Sequence, residues 1–184
     1  MLPTAQAIGL EPSDAMRSLA IGRLAVRPDW RDRVTVRPEG ALTAPLPDHL
    51  SGVIMLGVFG HFAPSERTDL VTRLATRLPA DAAILLDLQL PEYPTEVPRY
   101  PFADTHLGAL RYRGFAEGTP AGGETMRWQM TYQTLDGEAV IEQQTTETKF
   151  HHPSHQQVRE HMRAHGFALS RLPETTYWLA RRTG

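Results

Sequence analysis

The hydrophobic positions in the first half of the chain alternate between short apolar runs and stripes with helical spacing. Residues 7–10 form a brief apolar run, and Ser13 can then cap a helix that Pro28 ends. The apolar face of that helix recurs at spacings of three and four, at Met16, Leu19, Ala20 and Leu24. Repetition of this strand-then-helix pattern predicts a parallel sheet with right-handed helical connections.

Two longer runs are apolar at nearly every position, as is typical of parallel strands that helices cover on both faces. They are SGVIMLGVF at 51–59 and AAILLDL at 82–88. Between them, Pro64 suits the first turn of a helix, and Pro79 closes it. The stripe of that helix is Leu70, Val71, Leu74 and Leu78. A shorter strand is predicted at 34–36.

The second half of the chain changes to a pattern of period two. Four prolines between Pro91 and Pro101 predict a stiff, extended connection over 91–105. Three alternating segments follow, LGALRYRGFAEG, TMRWQMTYQT and AVIEQQTTETKF, and Asp136-Gly137 predicts a two-residue hairpin turn between the last two. A capping box at Ser154 and Gln157 then predicts a helix through His165, before the closing strands FALSRL and TYWLARR.

Composition and charge narrow the classes of function. The 184 residues suit one domain with a core, 41% of them are hydrophobic, and the net charge is −2. A surface this close to neutral gives no electrostatic reason to bind nucleic acid or an anionic membrane. The absence of cysteine excludes disulfides and thiolate chemistry. No signal peptide or membrane-spanning run is visible, so we expect a soluble cytoplasmic protein.

The ordered series of motifs resembles class I S-adenosylmethionine-dependent methyltransferases that act on small molecules. IGLEPSDAM resembles the family's second strand with the acidic residue at its tip. RVTVRPEGALTAPLPDHLSGVIMLGVFGHF resembles its third strand, adenine-side loop, fourth strand and following turn, and PSERTDLVTRLATRLPADAAILLD its next helix and fifth strand. The antiparallel insert and the closing HGFALSRL…TTYWLARR also have counterparts there.

The resemblance implies an α/β fold: a Rossmann-like methyltransferase sheet with an antiparallel strand insert before the last helix. It implies one methyltransferase-like domain over 1–184, made of a parallel strand and helix half at 1–90, the connection at 91–105, and the insert with the C-terminal helix and strands at 106–184. It also implies S-adenosylmethionine as the cofactor.

The family's first strand and its glycine-rich loop, roughly DLGxGxG, have no counterpart in this sequence. In the family that strand lies between the second and fourth strands, so we expect an N-terminally truncated sheet whose ladder is split, with two exposed edges. Three explanations stay open: a gene start placed too late, a remnant without cofactor binding, and a missing element that a second chain or an alternative pairing replaces. Exposed edges would favour a homodimer.

Three residues around the first strand are candidates for the ribose and adenine side of the cofactor. The resemblance assigns the ribose hydroxyls to Glu11, which follows a parallel strand where ligands of open α/β sheets bind. Pro12 follows it, and Met16 can pack on an adenine face. The alternatives are a solvated Glu11 that the helix dipole favours and a Met16 that belongs to the core.

The resemblance adds three further cofactor-binding candidates. Gly57, after the central strand, would let the backbone approach the sulfonium end, or it is a simple strand-end glycine. Where the family often has Gly-Asp-Ala, this chain has Glu39-Gly40-Ala41. The acid is displaced by one position, so Gly40 and Ala41 are expected to contribute backbone and apolar contact.

His61, in the turn GVFGHF, is the candidate base that would take a proton from the acceptor, because an imidazole can accept a proton near neutral pH. The alternative is a turn histidine that only bonds to the backbone. Tyr93 and Tyr100 can line the acceptor pocket, or they lie on a surface loop. The face of Trp128, Met130 and Tyr132 is expected to pack on a helix or a dimer mate, with a substrate wall as the alternative.

A histidine cluster, HHPSH with His161 and His165, has helical spacing, but no acidic or cysteine ligand matches it. We therefore expect no metal site. The hypothesis is methyl transfer from S-adenosylmethionine to an oxygen or nitrogen atom of a small-molecule acceptor. The alternative is a non-catalytic, methyltransferase-like interaction or oligomerisation domain that does not bind the cofactor.

Overall fold

The computed structural model describes residues 5–183, and the chain divides after Asp48 into two units. The first unit contains two parallel strands, β1 (Ala7–Leu10) and β2 (Val34–Arg37), paired from Ala7↔Val34 to Leu10↔Arg37. Helices α1 (Asp14–Ala25) and α2 (Pro28–Arg31) connect them. The parallel pair with its helical connection is the arrangement that the hydrophobic pattern predicts.

Helix α1 begins where the sequence predicts, because the Ser13 hydroxyl accepts a hydrogen bond from the Met16 amide. Its apolar stripe is nevertheless uncovered: Met16 is 55% and Leu19 is 60% exposed, and no residue of the helix is buried. A core role for Met16 is therefore wrong. A two-stranded sheet offers a helix of this length little surface on which to bury its stripe.

The second unit contains a four-stranded sheet in the order β3-β4-β10-β9. Strands β3 (Gly52–Met55) and β4 (Ala83–Asp87) are parallel, and β10 (Tyr177–Arg182) pairs antiparallel with β4 and with β9 (Phe167–Arg171). Helix α3 (Pro64–Ala75) connects β3 to β4, and α4 (His155–Ala164) precedes β9. The core residues of these elements are Leu70, Val71, Leu74, Ile84, Leu86, Val158, Met162, Phe167 and Trp178.

The central strands are shorter than the apolar runs and are not equally covered. In β4, Ile84 and Leu86 are fully buried, whereas Ile54 in β3 is 72% exposed. The prediction of a strand over 51–59 that is buried on both faces is therefore wrong. Among residues 5–183, β1 pairs with β2 alone and β3 with β4 alone, so each strand has an unpaired edge, as expected for the split ladder.

A second sheet of this unit is an antiparallel meander of β5 (Val97–Leu107), β6 (Leu110–Pro120), β7 (Thr125–Asp136) and β8 (Ala139–His151). The extended connection predicted over 91–105 thus ends at Val97, where edge strand β5 begins. Pro98 and Pro101 are tolerated there because an edge strand can spare N–H groups. None of the described helices is both long and apolar enough to cross a membrane.

The β7–β8 turn differs by one residue from the predicted Asp136-Gly137. Asp136 pairs with Ala139, so the two turn residues are Gly137 and Glu138. Gly137 takes a positive φ of 57°, whereas Asp136 and Glu138 do not. A turn with glycine at its first central position needs only that one positive φ, unlike the expected form in which both positions need it.

A buried ion pair joins α3 to the start of β7. Nη2 of Arg67 lies 2.6 Å from Oε1 of Glu124, and the two side chains are only 7% and 18% exposed. Nη1 of Arg67 donates to the carbonyl oxygen of Phe62 at 2.9 Å. Both charges are therefore withdrawn from water and depend on each other.

We expect Glu124→Gln to lower the free energy of unfolding by about 3 kcal/mol, because it leaves the Arg67 charge buried and uncompensated. The matched control is Glu147→Gln, whose partner Arg127 is 3.4 Å away in a pair that is 52% and 58% exposed. That change should cost less than about 1 kcal/mol. Urea denaturation followed by circular dichroism measures both, and equal losses would contradict a buried pair.

Candidate functional site

The carboxyl ends of β1 and β2 meet at one edge of the first unit, where Glu11 follows β1. The Glu11 amide donates to the Arg37 carbonyl oxygen at 3.0 Å. One carboxylate oxygen of Glu11 accepts a hydrogen bond of 2.9 Å from the Ser13 amide at the start of α1. The other oxygen makes no hydrogen bond to a residue between 5 and 183. Glu11 is therefore held in place by the helix start, and within the described part of the chain its second oxygen is left to accept a bond.

The acid at the displaced position, Glu39, is engaged by its own neighbour. Arg37 binds it through both carboxylate oxygens, at 3.1 Å from Nε and 2.5 Å from Nη2. The hydrogen-bonded Arg37 guanidinium lowers the pKa of the Glu39 carboxyl. Gly40 then starts a turn, its carbonyl oxygen accepting from Thr43 and Ala44, and the space beside its Cα is open. The loop of Gly40 and Ala41 is therefore a backbone turn with open space beside the Cα of Gly40.

At the equivalent edge of the second unit, a backbone turn follows β3. Gly57 takes a φ of +67°, a conformation that glycine adopts without strain. Its N–H donates to Oδ1 of Asp87 at 2.8 Å, at the end of β4. The Gly57 amide is thus already bonded, and any ligand contact there would use the open space beside its Cα. Sequence reasoning missed Asp87, although an acid that ends an apolar run was visible.

His61 lies in a short 3₁₀ turn, Phe59–His61, directly after β3 and Gly57. Its side chain is exposed, and its ring lies 4.4 Å from that of Phe150 near the end of β8. Its amide donates to the Val58 carbonyl oxygen. The imidazole is therefore accessible at the edge where β3 ends, with an aromatic ring beside it that the sequence did not indicate.

The end of β8 lies so close to this turn that a side chain at Gly60 would not fit without a shift of the backbone. A Cβ on Gly60 would lie 2.9 Å from the His151 carbonyl oxygen and 3.1 Å from Cγ of Gln89. The glycine therefore allows the antiparallel sheet to contact the turn that carries His61.

The two candidate tyrosines lie in different elements. Tyr93 is exposed in the loop after β4, at the same sheet edge as His61. Tyr100 is in β5, opposite Ala116 of the antiparallel sheet, and it is also exposed. Phe102 and Tyr132 form an edge-to-face pair with ring centroids 5.8 Å apart in the same sheet. On the face of β7 that contains Trp128, Met130 and Tyr132, Tyr132 is therefore exposed to solvent, whereas Trp128 and Met130 are half-buried.

His161 lies in α4 and His165 directly follows the helix, and the centres of their rings are 4.6 Å apart. Burial lowers the pKa of His161, and the neighbouring His165 acts in the same direction. Among residues 5–183 no three histidine, cysteine or acidic side chains are grouped as a metal site requires.

No protein-family model matches the sequence, and no curated protein does. Its fold, however, is that of class I S-adenosylmethionine-dependent methyltransferases, as solved structures show. DesVI from Streptomyces venezuelae has a TM-score of 0.76 at 14% identity, over 98% of this chain and 85% of that one. The S-adenosylmethionine-bound CalS10, an amino pentose methyltransferase from Micromonospora echinaspora involved in calicheamicin biosynthesis, has a TM-score of 0.75 at 16% identity, over 97% and 74%. The sugar N-methyltransferase KedS8 from Streptoalloteichus sp. has a TM-score of 0.74 at 17% identity, over 96% and 71%.

We expect Gly60→Ala to lower the free energy of unfolding by about 1–3 kcal/mol, because the new methyl group must displace backbone at His151. The control is Gly22→Ala in α1, where the space beside Cα is open. That change should raise helix stability by about 0.5–1 kcal/mol. Urea denaturation measures both, and a neutral Gly60→Ala would show that β8 does not press on the turn.

Proposed function

We propose that this chain binds S-adenosylmethionine and catalyses methyl transfer to a nitrogen or oxygen atom of a small molecule, with an amino sugar as the favoured acceptor. The observation that carries the proposal is the likeness over 96–98% of the chain to structures that include an amino pentose methyltransferase and a sugar N-methyltransferase. Bound cofactor would supply the methyl group, and the protein would supply alignment and a base.

Glu11 and the loop after β2 would bind the nucleoside part of the cofactor. Glu11 would accept hydrogen bonds from the ribose through the carboxylate oxygen that the Ser13 amide leaves unused. Gly40 and Ala41 would contribute backbone and apolar contact to the adenine, because Glu39 is bound by Arg37. Pro12 and the exposed Met16 would cover the same side. These roles rest on the position of Glu11 at a carboxyl end of the sheet.

The turn after β3 would lie at the reacting end and the acceptor. Gly57 would leave room for the sulfonium side, since the space beside its Cα is open. His61 would take the proton from the acceptor amine or hydroxyl, which an exposed imidazole beside an aromatic ring can do. Tyr93 and Tyr100 would contact the acceptor, whose sugar ring can lie against an aromatic face.

A second candidate function is a non-catalytic interaction domain. Two observations favour it: the unpaired edges of β1 and β3 among the described residues, and the exposed aromatic side chains on the antiparallel sheet. Unpaired strand edges recruit other strands, so this candidate implies a homodimer. It differs from the first candidate in having no affinity for S-adenosylmethionine. A soluble, cytoplasmic protein is compatible with both.

Calorimetric titration of S-adenosylhomocysteine separates the two functions. We expect binding to the wild-type chain and a dissociation constant about tenfold or more higher for Glu11→Gln, which removes the charged acceptor. Glu147→Gln, an exposed change on β8, is the control and should bind as the wild type does. Absence of heat at millimolar ligand, together with a dimer in light scattering, would favour the interaction domain.

Methyl transfer to a panel of amino sugars tests the role of His61. We expect His61→Gln to lower kcat about 100-fold or more while cofactor affinity stays unchanged, because only proton transfer is removed. His49→Gln, at an exposed histidine outside the site, is the control. A normal kcat in His61→Gln would show that His61 only shapes the turn.

A further inference from the structure

The imidazole of His152, just after β8, connects two segments that are distant in the sequence. It is only 2% exposed. Its Nε2 atom lies 3.1 Å from Nε1 of Trp128 in β7, and its Nδ1 atom lies 2.8 Å from the carbonyl oxygen of Pro91. Pro91 belongs to the loop after β4, which carries Tyr93. One buried ring thus bridges the antiparallel sheet and the loop at the carboxyl edge of the other sheet.

The chemistry of the two partners fixes the proton on this ring. An indole N–H can only donate, so Nε2 of His152 must be the unprotonated acceptor. The Pro91 carbonyl can only accept, so Nδ1 must carry the proton. The bridge therefore exists only with a neutral imidazole. A proton on Nε2 would set two N–H groups against each other and break the bond to Trp128.

Burial lowers the pKa of His152 and so favours the neutral ring, and the neighbouring His151 acts in the same direction. The bond to Pro91 and the charge of Glu124 oppose this shift. The pKa of His152 in the folded chain lies below the ordinary value of 6.5. Once the pH falls below 6.5, the unfolded chain therefore binds more protons than the folded chain does. The stability contributed by the bridge is thus complete above about pH 7 and is lost as the pH falls through the folded pKa.

The other charged groups here are already paired. Arg67 of α3 is bound to Glu124, whose carbonyl oxygen accepts the His152 amide at 2.6 Å. Beyond Pro91, Glu92 accepts the His155 amide at 3.0 Å, and its second oxygen lies 3.2 Å from Nδ1 of the same residue. The loop is therefore attached at two consecutive residues, Pro91 through His152 and Glu92 through the start of α4.

We propose that His152 is a positioning residue for the acceptor side of the site: its Nδ1–H holds the loop that carries Tyr93 at Pro91, and the bond from Trp128 to Nε2 holds the ring in the tautomer that this contact uses. The link to an acceptor rests on the proposed function. The bridge itself is a property of the fold and is testable without substrate.

The indole N–H resonance of Trp128, assigned with Trp128→Phe, reports the first bond directly. In the wild type we expect it to move as the pH is lowered from 8 to 5, following the titration of His152. His152→Asn keeps a donor for Pro91 but has no acceptor that reaches Trp128. Its indole resonance should therefore stay at the unbonded position across the whole range. A resonance that is the same in the wild type and in this variant overturns the bridge.

Cleavage by a glutamate-specific protease after Glu92 or Glu96 reports the second bond. At pH 8 we expect His152→Ala to be cut about tenfold faster than the wild type, the opening that one lost buried hydrogen bond allows. His152→Asn, which keeps the bond to Pro91, should be cut near the wild-type rate. If His152→Ala fails to fold, His152→Leu tests the same bond, since it fills the buried space but has no donor for Pro91. Unchanged cleavage in His152→Ala overturns the proposal.

With an accepted amino sugar, His152→Ala should raise the acceptor KM about tenfold and leave kcat and the affinity for S-adenosylhomocysteine unchanged. A change in kcat alone would overturn a positioning role. Absence of cofactor binding in the wild type would instead overturn the proposed function, and the indole and cleavage measurements would still decide whether the bridge exists.

Discussion

The second unit depends on one short stretch of chain, residues 151–153 with Glu124 beside them, that holds the antiparallel sheet to the sheet formed by β3, β4, β10 and β9. Here the His151 carbonyl oxygen lies over Gly60, Glu124 neutralises Arg67 of α3, and the His152 ring reaches Pro91. These contacts combine close packing, a buried charge pair and a tautomer-specific hydrogen bond. Each of them has a cost if only one partner is present, so together they define one arrangement of the two sheets.

The contacts of residues 151–153 and Glu124 also shape the surroundings of His61, the candidate base. His61 follows the glycine on which β8 rests, and its ring lies against Phe150 of that same strand. The loop with Tyr93 is attached to the same stretch through His152. An insert that looks like an addition to a parallel sheet therefore contacts the proposed acceptor side, because it packs against both the turn after β3 and the loop after β4.

Local features of the fold could be predicted from the sequence because the residues concerned are close together in it. Ser13 caps α1, and Ser154 with Gln157 forms the capping box of α4, each within three residues. Contacts of the site span much longer separations: Gly57 to Asp87 is 30 residues, Arg67 to Glu124 is 57, and His152 to Pro91 is 61. No periodicity encodes such pairs, and a buried histidine has no sequence signal that distinguishes it from a solvated one.

The apolar composition of a segment is a poor guide to its burial where that burial depends on neighbouring strands. Ile54 belongs to a run typical of a fully covered strand, yet it is exposed in a strand with one unpaired edge. Glu11 and His61 do not depend on that coverage. In the first unit, Glu11 is held by the Ser13 amide and the Arg37 carbonyl oxygen. In the second unit, His61 is held by the turn on which the end of β8 packs. Because each side chain is held by its own unit, a change at one should leave the local geometry of the other intact, so the two proposed roles can be measured separately.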